Sequence, residues 1–106
     1  MKILSISQFQ TSSVERDFAK AVERGFSRFD ENRSRLVFQK FEMNYNLGRD
    51  DIFRNSELFS KTIKNIFRFG SSYVERDIIT ELKLSFPIPE RTYVSLPDVV
   101  SEIRKL

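Results

Sequence analysis

Apolar residues recur along most of this chain at steps of three and four, the spacing that lines one face of an α-helix. Val14, Phe18, Ala21, Val22, Phe26 and Phe29 form the first stripe, and Leu36, Val37, Phe38, Phe41 and Tyr45 form a broader second one. Phe59, Ile63, Ile66 and Phe67 make the third, with Lys61, Lys64 and Arg68 on the opposite face by the same period. Val74, Ile78, Ile79 and Leu82 make the fourth, and Val99, Val100 and Ile103 a short fifth. Between Phe38 and Leu84 the stripes are interrupted by loops centred on Gly48 and Gly70. The pattern predicts a mainly α protein, a compact bundle of about five short helices.

The punctuation between stripes predicts where each helix starts and stops. Ser12 and Glu15 have capping-box spacing, which starts the first helix at Ser12. Gly25 lies in its last turn; a tolerated defect is the favoured reading, and close helix approach the competing one. Asp30 is a good N-cap for the second helix, with Glu31 suited to the positive helix start. Asn46, Leu47 and Gly48 read as its stop, and Asp50 and Asp51 as a short turn that sends Ile52 and Phe53 inward. The third helix starts at Asn55 or Ser56 and ends at Gly70, where a left-handed backbone is expected. Ser71 or Ser72 caps the fourth, Ser72 and Glu75 repeating the capping-box spacing, and Pro87 and Pro89 stop it. Pro97 sits in the first turn of a last helix running from Leu96 to Leu106. Residues 2–9 and 91–96 are rich in β-branched and aromatic residues, which suggests a short two-stranded pairing between the chain ends.

Length and composition then narrow the picture. A chain of 106 residues is expected to be a single helical domain over 1–106, with its core in 12–86 and an extended segment and docking helix in 87–106. Eleven Phe and no Trp give that core an aromatic character. Cys and His are absent, which removes disulfides, thiolate zinc sites and the commonest general base and metal ligand. No run of apolar residues approaches the roughly 18 needed to span a bilayer, and the N-terminal stretch is too broken for a signal peptide. The expectation is a cytoplasmic protein that does not engage membranes.

The net charge of +3 is spread thinly. Residues 47–70 carry five bases and three acids, and residues 71–86 two bases and three acids. Arg16, Lys20 and Arg24 on the first helix are interspersed with Glu15, Asp17 and Glu23, an exposed face laced with ion pairs.

Candidate chemistry is sparse. No phosphate-cradling or dinucleotide fingerprint is present in a chain with three Gly. Asp50 and Asp51 lack the further carboxylates of a Ca²⁺ loop and read as helix caps. The Ser residues have no imidazole to activate them. No catalytic residue, cofactor, metal or small-molecule substrate is therefore expected.

Two binding readings remain. Phe9, Phe53 and Phe69 fall at or outside the regular stripes, and aromatics that a core cannot cover form a partner or dimer face. They are the candidate protein-binding residues of a non-enzymatic interaction or regulatory module, its partner a protein or a second copy. The alternative is a nucleic-acid-binding domain that uses Arg54, Lys61, Lys64 and Arg68 for phosphate contacts. The third helix, the Gly70 turn and the fourth helix have helix-turn-helix lengths, but Glu75, Asp77 and Glu81 on the fourth oppose base reading.

The stretch from Leu36 to Phe86 also carries a resemblance. Its aromatic helix ending in NYNL, the DDI that follows, ELF opening the next helix, IFRFG closing it and VERDIITEL after the Gly resemble the Nitrosopumilus output domain family, type five. The Ser-Ser after Gly70 departs from the small apolar pair expected there. The resemblance implies an archaeal, cytoplasmic signalling-output or interaction module of helical fold, and it brings no catalytic residues.

Overall fold

The computed structural model describes the backbone of residues 2–106 and the side chains of residues 13–106. Five α-helices follow one another: α1 (Lys2–Phe26), α2 (Glu31–Tyr45), α3 (Ser56–Phe67), α4 (Ser71–Ser85) and α5 (Leu96–Ile103). Short 3₁₀ turns at Arg49–Asp51 and Arg68–Gly70 lead into α3 and α4.

The longest helix–helix interface joins α1 to α4. Gly25 permits it. A Cβ built there would stand 2.6 Å from the Ile78 Cα and 2.8 Å from its Cγ1, so only a residue without a side chain lets the two backbones come this close. Close helix approach, not a tolerated defect, explains this glycine. Along the same seam Arg24 and Arg28 donate to the Glu81 carboxylate at 3.2 and 2.5 Å.

Helix α2 packs against α3, and their aromatic rings with Phe26 of α1 form the centre of the core. The Phe59 ring meets Phe41 edge-on at 5.0 Å, and lies 5.7 Å from Phe38 and 6.1 Å from Phe26. Edge-to-face stacking suits rings whose faces are electron-rich and whose edges are not. Phe18, Phe41, Phe59, Ile63, Phe67, Ile78 and Leu82, the inward positions of four stripes, are all buried.

Helix α5 completes the core by laying Leu96, Val99, Val100 and Ile103 against α3 and α4. An eight-residue helix is too short to hold itself, and its apolar stripe is what docks it. Glu75 adds a polar tie. Its carboxylate, 6% exposed, accepts the Ser60 hydroxyl at 2.7 Å and the Leu96 backbone N–H at 3.3 Å. One side chain on α4 thus pins both α3 and α5.

Several local expectations are corrected. Helix α1 begins at Lys2, not Ser12, and is 25 residues long. The pairing of residues 2–9 with 91–96 does not form. The first segment is helical, the second is irregular up to Leu96, and no strand occurs among the described residues. Ile3, Ile6 and Phe9 recur at three-residue steps, with no Gly or Pro before Gly25. Once a helix is nucleated further along, extending it through such a stretch costs little.

Gly70 is not left-handed either: its φ is −84°, and a Cβ added to it would meet nothing within 4 Å. The reversal falls two residues earlier, at Arg68, with φ 50° and ψ −115°. A non-glycine residue there stores backbone strain of about 1–3 kcal/mol. Ser72 does not cap α4, because the 3₁₀ turn runs straight into the helix and Glu75 faces inward. The last helix also stops at Ile103 rather than Leu106, with residues 104–106 in a turn and irregular chain. Two caps hold as expected. The Asp30 side chain caps α2 by accepting the Asn32 N–H at 2.9 Å, and Asn46 closes it in the left-handed conformation at φ 56°. Asp51 accepts the Gly48 N–H at 2.7 Å.

Candidate functional site

The candidate residues do not converge on one place. Phe9 lies outside the residues whose side chains are described. Phe53 is half-buried: its ring meets Phe18 edge-on at 5.3 Å, and the Arg104 guanidinium stands 5.3 Å above it. Phe69 is 99% exposed, on the turn between α3 and α4. Arg54 is diverted from the third-helix cations by an ion pair with Glu15 of α1. Lys61 and Lys64 remain together on the exposed side of α3, and Arg68 follows at its end.

Phe53 helps wall an apolar cleft of about 610 Å³ with Val14 of α1, Phe86 at the end of α4, and Ile103 and Leu106 at the end of the chain. Arg54, paired with Glu15, and Arg104 also line it. Such a volume falls within the range of ligand and anchor-residue pockets. Val14 and Leu106 are exposed, so apolar surface is open to solvent at its mouth.

A second groove of about 860 Å³, of mixed character with Glu75 and Glu90 among its walls, runs between the end of α3, α4 and the segment at 90–95. Lys64, Arg76, Lys83 and Arg91 line it together with Ser and Thr hydroxyls. Lys83 pairs with Glu90, and Arg91 binds Asp98 at 3.0 Å and Glu102 at 3.2 Å. Arg91 holds both carboxyls below their ordinary values of 3.8 and 4.5, chiefly through these hydrogen bonds. Lys61, Lys64, Arg68 and Arg76 have no ion pair among the described residues.

Folding changes the electrostatic sign of α4's outer face. Residues 71–86 sum to −1, with two bases and three acids. Glu75 and Glu81, however, are buried, one in the tie to α3 and α5 and the other in the seam with α1. What faces solvent is Ser72, Tyr73, Arg76, Thr80 and Leu84, with Asp77 and Lys83 half-buried beside them. Glu75 and Glu81 are thus turned inward and held by hydrogen bonds, while Asp77 stays half-buried and Glu75 still borders the groove. Tyr73, Arg76 and Thr80, overlooked in the sequence, recur at steps of three and four opposite the Val74 and Ile78 stripe, and that spacing was the signal for them.

No group of three or more Asp or Glu side chains comes close enough to hold a metal ion among the described residues. No helix among them is long and apolar enough to cross a membrane. No family model matches the chain, and no curated protein or solved structure matches it.

Proposed function

We propose that this domain is a non-enzymatic protein-interaction module that receives an apolar side chain of a partner protein in the cleft beside Phe53. The observation that supports this reading is the cleft itself, open apolar surface from Val14, Phe53, Phe86 and Leu106, bordered by the Arg54–Glu15 ion pair and by Arg104. Aromatic and aliphatic pockets of this kind take the anchor residues of partners, and Arg104 favours an acidic residue on the side of the anchor that faces it. The resemblance carried by residues 36–86 agrees, implying an output or interaction module of an archaeal cytoplasm. Affinity capture from nuclease-treated native lysate tests it. A protein partner retained by the wild type should be lost with Val14→Asp, a surface change that spares the core, and kept with Lys61→Glu/Lys64→Glu. Retention of the same partner by Val14→Asp, at unchanged thermal stability, overturns the reading.

A second reading, nucleic-acid binding through phosphate contacts, is favoured by one observation: Glu75 and Glu81 turn inward, and Lys61, Lys64, Arg68 and Arg76 are exposed with no carboxylate partner among the described residues. Binding of this kind weakens steeply with salt.

A further inference from the structure

We infer that the corner joining α3 to α4 is a stacking platform for single-stranded nucleic acid, with Phe69 and Tyr73 as the base-stacking residues. The inference rests on the second reading above and names its ligand class. Phe69 is 99% and Tyr73 57% exposed, and they follow one another across the turn into α4. A fully exposed Phe gains nothing for the fold. The chain nevertheless holds it outward through a strained residue, Arg68, whose φ of 50° reverses the backbone just before it. Backbone strain of this kind persists where the surroundings impose it, and such positions concentrate at binding sites.

The aromatics do not stand alone. The Arg76 guanidinium lies 5.1 Å over the Tyr73 ring, leaving the other side of the ring for a base. Arg76 and Lys64 also line the groove of about 860 Å³, together with Ser71 and Ser72. Cations that track a phosphate backbone, hydroxyls that donate to it and flanking aromatic rings that take bases make up the common plan of sequence-tolerant single-strand sites. A duplex keeps its bases stacked inside and offers nothing to Phe69, so the exposed rings argue for a single strand. A protein partner could also use an exposed aromatic, but it would not need the run of cations around it that have no ion pair among the described residues.

Fluorescence anisotropy with labelled oligo(dT), oligo(U) and a random duplex of equal length, at two salt concentrations, tests the inference. The wild type should bind both single strands more tightly than the duplex. Its affinity should fall with salt at a logarithmic slope of about −0.7 for each phosphate contact. Phe69→Ala should weaken single-strand binding about tenfold or more without altering the melting temperature, and Phe69→Trp should restore it. Arg76→Ala should flatten the salt slope. If the duplex binds as well as the single strands and Phe69→Ala changes nothing, the stacking platform is wrong while the phosphate-contact reading survives. Absence of binding to any of the three probes at low salt overturns both. If Phe69→Ala instead abolishes capture of a protein, with no nucleic acid bound, the corner belongs to a protein interface and the inference fails.

Discussion

At Gly25 and Gly70 the same residue type does two different things. Gly25 has Ile78 backbone where a side chain would go, at 2.6 Å. Gly70 has open space and an ordinary helical φ of −84°. Gly25→Ala is therefore expected to destabilise the protein by about 1–3 kcal/mol, because the α1–α4 seam must open, despite the better helix propensity of Ala. Gly70→Ala is expected to be neutral or stabilising by about 0.4–1 kcal/mol, since the native backbone accepts a Cβ and the unfolded chain loses freedom. Urea unfolding of the two variants checks both signs, and equal destabilisation would refute the assignment. Which glycine was indispensable was not legible in the sequence. Both lie near helix ends, and only the approach of a residue 53 positions away distinguishes Gly25.

Among the elements, α5 and the segment before it depend most on tertiary contacts. Helix α5 is held by its apolar stripe, by the Leu96 N–H bond to Glu75 and by the clamp of Arg91 on Asp98 and Glu102. Asp98 also accepts the Val94 N–H at 2.9 Å, which fixes the irregular chain just ahead of the helix. Because Arg91 lowers both carboxyls in the folded state, the unfolded chain takes up their protons first as pH falls. The stability they contribute is fully present above their ordinary values of 3.8 and 4.5 and is lost as pH drops through the lower folded values. Arg91→Gln should lower the melting temperature at neutral pH. The gap from the wild type should narrow as pH falls below those ordinary values and close once it has passed the lower folded values, where the carboxyls are neutral in both. Thermal melts across that range decide it, and a gap independent of pH would mean that Arg91 acts only through its packing on Tyr93, 4.0 Å away. Because the Arg91 side chain is exposed and solvent screens the clamp, the effect is modest.

For the molecule as a whole, stability resides in the aromatic centre. Phe59 is fully buried and its ring touches three others, from α1 and α2. Phe59→Ala removes those contacts and leaves a cavity, an expected loss of about 3–5 kcal/mol. That is a large part of the total for a domain of this size, about 5–15 kcal/mol. Chemical denaturation should show the midpoint falling without a new transition; an unchanged midpoint would mean that the faces of α2 and α3 are misassigned. Helix order, most boundaries and the inward stripes were legible in the sequence because a period of 3.6 residues is a local signal that burial reinforces. Capping at Asp30 and the stop at Asn46 were legible for the same reason, their hydrogen bonds running to residues two and four positions away. What the tertiary structure alone decided involves partners distant in the chain. Glu75 and Glu81 look like solvent-facing acids until Leu96, Ser60, Arg24 and Arg28 arrive from other helices and make their burial affordable through hydrogen bonds. That burial, not the sum of charges along α4, sets the sign of its exposed face, and it leaves Phe69, Tyr73 and the cations beside them open to solvent.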